Sequence, residues 1–200
     1  EYKRQINGWR AAWQQGDFPF YYCQIAPYDY ALITAPGQEP VQSALIREAQ
    51  SQVEHRVPHT GMAVLLDAGM EKGIHPAKKR LAGERLGLSA LTKTYGIEGV
   101  NGESPYYKSM EIQGDTVIVS FERADMWISG KECFESKLFS VAGEDRIFHP
   151  AKAWIVRSKM YVRSEKVPHP VAVRYAFDNY VEGDLFCGGL PLSSFRSDNW

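Results

Sequence analysis

Along the first half of the chain, apolar positions recur in two alternating rhythms. Ile6, Trp9 and Trp13 fall at helical spacing and predict an opening amphipathic helix that ends at Gly16-Asp17. Phe18 to Ala26 (FPFYYCQIA) is a short, nearly continuous apolar run and predicts a buried strand. A loop with Pro27, Pro36, Gly37 and Pro40 follows. Ser43 then reads as the N-cap of a helix over Ala44 to Val53, with Leu45, Ile46 and Ala49 on one face. Gly61 to Ala68 (GMAVLLDA) predicts a second buried strand. Pro76 suits the first turn of a long helix with Leu81, Leu88 and Leu91 on its apolar side, and Gly96 suits its end. Helix, strand, helix, strand, helix is the order of a parallel sheet with covering helices.

After Gly96 the period changes from helical to alternating. Residues 106–113 and 116–123 flank Gly114-Asp115, which predicts a hairpin with a type II′ turn. Leu138–Val141, Ala153–Val156, Met160–Ser164 and Val171–Phe177 are further strand candidates, short and bounded by turn residues. This half predicts an antiparallel β-sandwich without a helix longer than three turns. The expected division is therefore 1–96 and 97–200, with the boundary in the Gly-, Asn- and Pro-containing stretch near 97–104.

Charge and composition narrow the function. The chain has 200 residues with 24 acidic and 23 basic side chains, which argues against a nucleic-acid partner. No run of about 18 apolar residues predicts a membrane span, and charged Glu1 to Arg4 does not open a signal peptide. Cys23, Cys133 and Cys187 lie far apart and form no zinc spacing; Cys23 reads as a small core residue, and Cys133 with Cys187 is an open pairing. No GxGxxG or P-loop occurs, so no cofactor is expected. His55 and His59 bracket Pro58, which excludes an ordinary helical metal pair, so no metal is expected either.

His75 stands out. It follows the strand that ends at Asp67, on a loop leading into a helix, which is where open α/β sheets place their sites. An imidazole there suits a general base. His149 and His169 each precede a proline in the β half and read as surface residues. Ser43 lies in no GxSxG setting.

The runs FPFYYCQIAPY, SALIREAQ, TGMAVLLDAG and IHPAKKRLAGERLGLSALTKTYG are similar to blocks of the sialate O-acetylesterase family of SGNH-type hydrolases. So are YYKSMEI, VAGEDRIFHPAKA, VPHPVAVRYAF and GLPLSSFRSDNW, so that the resemblance extends from about residue 4 to Trp200. It implies a serine esterase that removes O-acetyl groups from sugars such as sialic acid or acetylated plant polysaccharide, in a secreted, periplasmic or lysosomal setting. It implies that Ile74-His75-Pro76 carries the catalytic histidine. Nothing here matches the family's serine and oxyanion blocks, so the resemblance implies a carboxyl-terminal portion acting with an upstream segment or companion chain that carries the nucleophile. On its own, the chain is expected to be inactive. Many bacterial members have an aspartate shortly before the histidine, often as Asp-Ile-His-Pro; Gly73 stands at the corresponding position in this chain. Glu71 or Asp67, or a backbone carbonyl, is then expected to orient the imidazole within about 3.2 Å. Arg47 and Gln50 read as loop braces, and Asn101, Tyr106 and Tyr107 as packing between the halves. With two strong strands in the α/β half, further strands are expected from outside this sequence or from a partner. The competing expectation is a non-catalytic carbohydrate-binding or docking subunit of a degenerate SGNH hydrolase.

Overall fold

The structure, a computed structural model, describes residues 1–39, 41–131 and 135–200. Helix α1 (Tyr2–Trp13) leads into strand β1 (Phe20–Cys23). A short 3₁₀ turn, Tyr30–Ile33, precedes α2 (Ser43–Arg56) and β2 (Thr60–Ala63). Helix α3 (Lys79–Lys93) ends this half. Past its last turn Gly96 takes the left-handed conformation at φ 61°, and the Ile97 N–H closes back onto the Leu91 carbonyl.

β1 and β2 pair in parallel, Phe20 opposite Thr60 through Cys23 opposite Ala63. Both are shorter than the expected runs 18–26 and 61–68, and among the described residues the parallel layer consists of these two strands alone. Neighbouring side chains of β1 reach opposite helices. The Tyr21 hydroxyl lies 2.5 Å from Thr94 Oγ1 after α3, and the Tyr22 hydroxyl donates to the Gln50 carbonyl of α2 at 2.6 Å. Helices therefore cover both faces of even this small sheet. β1 is half-buried rather than buried, because only β2 flanks it, and Cys23 is half-buried with it.

The helices bury polar faces. In α2 the buried positions are Ser43, Ala44, Arg47, Gln50 and Val53, while the expected face is turned out, with Leu45 and Ala49 exposed and Ile46 half-buried. In α3 the buried residues are Arg85 and Ser89, and Leu91 is exposed. In α1 Ile6 and Arg10 are buried, whereas Trp9 and Trp13 are exposed and pack on Phe20 and Phe18 from outside. Each helix thus contributes one buried arginine, and each arginine reaches backbone carbonyls of a loop. Arg10 donates to the carbonyls of Phe18, Pro58 and His59, which ties together the chain entering β1 and β2. Buried loop carbonyls need partners, and a guanidinium supplies several donors from one side chain.

Three antiparallel sheets follow. β3 (Tyr106–Gln113), β4 (Thr116–Glu122), β10 (Lys159–Arg163), β9 (Lys152–Val156) and β6 (Glu135–Ser136) form one in that order. β14 (Phe195–Arg196), β11 (Ala172–Tyr175), β7 (Phe139–Ala142) and β8 (Phe148–Pro150) form the second. β13 (Leu190–Pro191), β12 (Leu185–Cys187) and β5 (Ile128–Gly130) form the third. At the β3–β4 turn Gly114 has φ 63°, and Asp115 is not left-handed, the signature of type II′ rather than I′. One apolar core joins Val117, Val119, Met160 and Val162 of the first sheet to Phe139, Val141, Val173 and Tyr175 of the second. Met62, Val64 and Leu66 belong to the same core, so it runs from the parallel strands into the antiparallel half.

The two halves are also joined by charge. Glu54 of α2 pairs with Lys93 of α3 at 2.9 Å and with Arg123 after β4 at 3.1 Å, and Glu103 of the connecting stretch pairs with the same two cations. Tyr106 packs its ring on His55, centroids 4.2 Å apart, and Tyr107 stacks on Phe195 at 4.7 Å. The Asn101 amide reaches the Cys187 carbonyl at 3.4 Å. His55 lies in the last turn of α2; burial pushes its imidazole below the ordinary histidine range. Any pairing of Cys133 lies outside the described residues.

Candidate active site

Both parallel strands point their carboxyl ends the same way, and the loops that leave them meet there. Beyond β1 the Gln24 N–H still bonds to the Ala63 carbonyl, and the Ile25 N–H is held by Gln50 Oε1 at 2.8 Å. Beyond β2 the chain runs through Val64 to Leu66 and turns at Asp67-Ala68, where the Ala68 N–H bonds to the Leu65 carbonyl. Gly69 then passes so close to the first loop that a Cβ would lie 2.2 Å from the Pro27 carbonyl oxygen. The Asp29 N–H bonds to the Glu71 carbonyl at 3.2 Å. A third loop, 176–184, arrives from the antiparallel half: the Tyr28 N–H bonds to the Asn179 carbonyl, and the Gly183 N–H to the Leu66 carbonyl.

Arg47 and Asn179 brace this junction. Arg47 is fully buried and donates to Ser194 Oγ and Ser43 Oγ, each at 3.1 Å, and to the carbonyls of Ala176 and Asp178. No carboxylate bonds to it among the described residues, and burial lowers its pKa to about 10. Asn179 Oδ1 accepts the Ser43 N–H at 2.7 Å. Ser43 is therefore the first residue of α2 rather than its cap; the cap oxygen comes from a loop 136 residues away. Its own hydroxyl is 0% exposed and committed to Asn179 and Arg47, so it is not presented to a substrate.

His75 stands on the second loop, which leaves the carboxyl end of β2, and is exposed. Among the described residues no side chain or carbonyl hydrogen-bonds to its ring, in contrast to the partner expected within about 3.2 Å. The two expected carboxylates are occupied otherwise. Asp67 is held by Arg85 and faces α3; its carbonyl accepts from Lys78 Nζ at 3.0 Å. Burial alone would push the Asp67 carboxyl up, but the hydrogen bonds and charge of Arg85 overturn this and hold it below the usual range. Glu71 is exposed and joins the site through its backbone only. Gly73 has no left-handed backbone, and a Cβ there would meet only the Met70 side chain, at 3.4–3.5 Å. The backbone does not require glycine at that position.

Lys78 also lies 3.7 Å from Glu182 of the third loop, which pairs more closely with Lys131 at 2.9 Å. Below it, the Tyr175 hydroxyl donates to Asp184 Oδ1 and receives the N–H groups of Asp184 and Leu185. Arg85, Asn179 and Asp184 were not singled out by the sequence pattern; Arg85 had one available signal, a lone cation inside the apolar Leu81–Leu91 stretch. Among the described residues no group of three or more His, Cys, Asp or Glu side chains is placed to hold a metal ion, and no helix is long and apolar enough to cross a membrane.

No protein-family model and no curated protein sequence matches the chain. Among solved structures, the chain is similar to XAC1771, described as a novel carbohydrate acetylesterase from Xanthomonas citri. The two share 33% sequence identity with a TM-score of 0.87. The match covers 100% of this chain and 45% of the other, so the chain spans less than half the length of that structure. The two-stranded parallel layer and the antiparallel sheets are thus together a portion of a fold found in a carbohydrate acetylesterase.

Proposed function

We propose that this chain is the histidine-bearing portion of an SGNH-type serine esterase that removes O-acetyl groups from carbohydrates. The carrying observation is the likeness over its whole length to a carbohydrate acetylesterase at 33% identity. The place of His75, exposed on the loop that leaves the carboxyl end of β2, supports the same reading. In this reading residues 1–96 complete an α/β catalytic layer and residues 97–200 form a sandwich beside it. A segment outside this sequence adds strands next to β1 or β2 and brings the serine and the oxyanion donors.

The chemistry is acyl transfer. The serine hydroxyl attacks the acetyl carbonyl while His75 takes its proton, and the oxyanion is held by donors of the other segment. Collapse expels the sugar hydroxyl, protonated by His75; water, deprotonated by the same imidazole, then releases acetate. The substrate is an acetylated carbohydrate, sialic acid or acetylated plant polysaccharide, met in a secreted, periplasmic or lysosomal setting.

A second reading has one observation in its favour. Gly73 stands where many members of the resembled family carry a carboxylate, and neither Asp67 nor Glu71 orients His75. A degenerate hydrolase serving as a carbohydrate-binding or docking subunit would look like this. The deciding experiment is acetate release from acetylated xylan and from O-acetylated sialic acid, by the full-length protein and by the 200-residue chain. Turnover by the former and none by the latter is expected; binding without turnover by the full-length protein favours the second reading.

A further inference from the structure

The outer face of the five-stranded sheet carries a groove remote in sequence from the loops around His75. Along β9 and β10 the residues facing away from the core are Lys152, Trp154 and Val156, and Lys159, Tyr161 and Arg163. Trp154 lies directly opposite Tyr161, their rings 5.9 Å apart and inclined by 25°. Across from Tyr161 on the other side, Ile118 is buried. The groove beside this stack has a volume of about 540 Å³ and is lined by Trp154, Lys152, Arg163, Lys166, Glu165, Ser164 and Pro150. Ser164 Oγ donates to the Pro150 carbonyl at 2.9 Å and fixes one wall.

The charges in this groove are not arranged for the fold's own benefit. Lys152 lies directly opposite Arg163 in the ladder, and like charges directly opposite destabilise a sheet. Arg163 is relieved from the other side by Asp115 at 2.7 Å. Among the described residues Lys152 and Lys166 have no ion-pair partner. The lining therefore presents three cations against the single carboxylate of Glu165; Glu135, opposite Trp154 on β6, does not line the groove. An indole face beside two uncommitted ammonium groups is complementary to a ligand with an apolar ring face and a carboxylate on its edge.

We propose that this groove binds a carboxylate-bearing sugar residue, its ring face on Trp154 and its carboxylate between Lys152 and Lys166, as a glycan-holding subsite apart from the catalytic loops. The choice of a sugar among carboxylate ligands rests on the reading of the protein as a carbohydrate esterase; the groove and its charge do not. The test is affinity electrophoresis and titration of the full-length protein with polygalacturonate, polysialic acid and a neutral β-glucan. Retention by one or both acidic polymers is expected, and which one tells a uronate from a sialate ligand. Trp154→Ala should weaken it at least about tenfold, as should Lys152→Gln with Lys166→Gln, the loss expected of one charge-assisted contact. The exposed Lys166→Gln change alone should weaken it severalfold with an unaltered unfolding transition. All these variants should cleave a small aryl acetate as the parent does, a separate readout that fails only with the esterase reading. Equal retention by the neutral glucan, retention by none, or variants within twofold of the parent would overturn the proposal.

Discussion

Arg85 grips Asp67 with both prongs of its guanidinium, Nη1 to Oδ1 at 2.6 Å and Nη2 to Oδ2 at 2.7 Å, and with Nη1 also holds the Val64 carbonyl at 2.8 Å. The pair is largely buried, with side chains 6% and 12% exposed. It locks the turn after β2 onto α3 and so fixes the base of the loop that carries His75. It also removes Asp67 from any contact with the imidazole.

Breaking that pair should loosen the loop. Arg85→Ala leaves a buried carboxylate alone and should cost about 3–5 kcal/mol of stability, measured by urea unfolding at neutral pH. The pH dependence has a definite sign. The folded Asp67 carboxyl lies below its unfolded value, so its contribution is complete above roughly pH 4 and is lost as pH falls through the folded value. Asp67→Asn should flatten the unfolding free energy over that acid range; an unchanged slope would show that other carboxylates set it.

Gly69 and Gly73 should respond differently to the same methyl group. Gly69→Ala drives a Cβ to 2.2 Å from the Pro27 carbonyl oxygen and 2.8 Å from Pro27 Cδ, atoms that move only with their loop. About 1–3 kcal/mol of destabilisation is expected, with ester hydrolysis reduced as the first two loops separate. Gly73→Ala meets only the flexible Met70 side chain and should lie within about 0.5 kcal/mol of the parent. Thermal unfolding of the two variants side by side is the measurement.

Arg47 should be irreplaceable by lysine. Its guanidinium serves two hydroxyls and two carbonyls from three loops or helices, and one ammonium cannot span them. Arg47→Lys and Arg47→Ala should each cost about 3 kcal/mol or more, because several buried acceptors lose their donor. A lysine variant unfolding at the parent's denaturant concentration would contradict this.

These arginines also show where the sequence pattern stops being informative. The order of the helices and of the longer strands, the II′ hairpin and the loop position of His75 are legible, because each depends on local period or turn chemistry. The helix faces are not. Leu45, Leu81, Leu88 and Leu91 define apolar stripes by spacing, yet Arg47, Gln50, Arg85 and Ser89 are the buried residues. The cause is the size of the parallel layer: two four-residue strands offer little apolar area, while the loops beyond them present many carbonyls. Burying donors there satisfies more than burying leucines would. Strands β5, β6, β8, β12, β13 and β14, two or three residues each, are too short to carry a period and are set by partners across the sheet. That Asp67 serves Arg85 and not His75 is a long-range choice invisible to local spacing.

The role of His75 can be tested by removal and by repair. In the full-length protein, His75→Ala should lower ester hydrolysis by several orders of magnitude, since losing one triad member leaves only oxyanion and binding effects. Stability should stay within about 0.5 kcal/mol, because the residue is exposed and hydrogen-bonds to nothing among the described residues. Repair follows from Gly73, whose backbone accepts a side chain. Gly73→Asp places a carboxylate two residues before the imidazole, where the resembled family has one, and a carboxylate beside the ring fixes its tautomer and stabilises the imidazolium formed in the transition state. A rise in kcat at unchanged KM is expected, and the rise should vanish when His75→Ala is added. If His75→Ala retains full turnover, another base operates and the site belongs elsewhere. If Gly73→Asp changes nothing while His75→Ala abolishes turnover, the imidazole is already oriented by a group that the complementary segment brings.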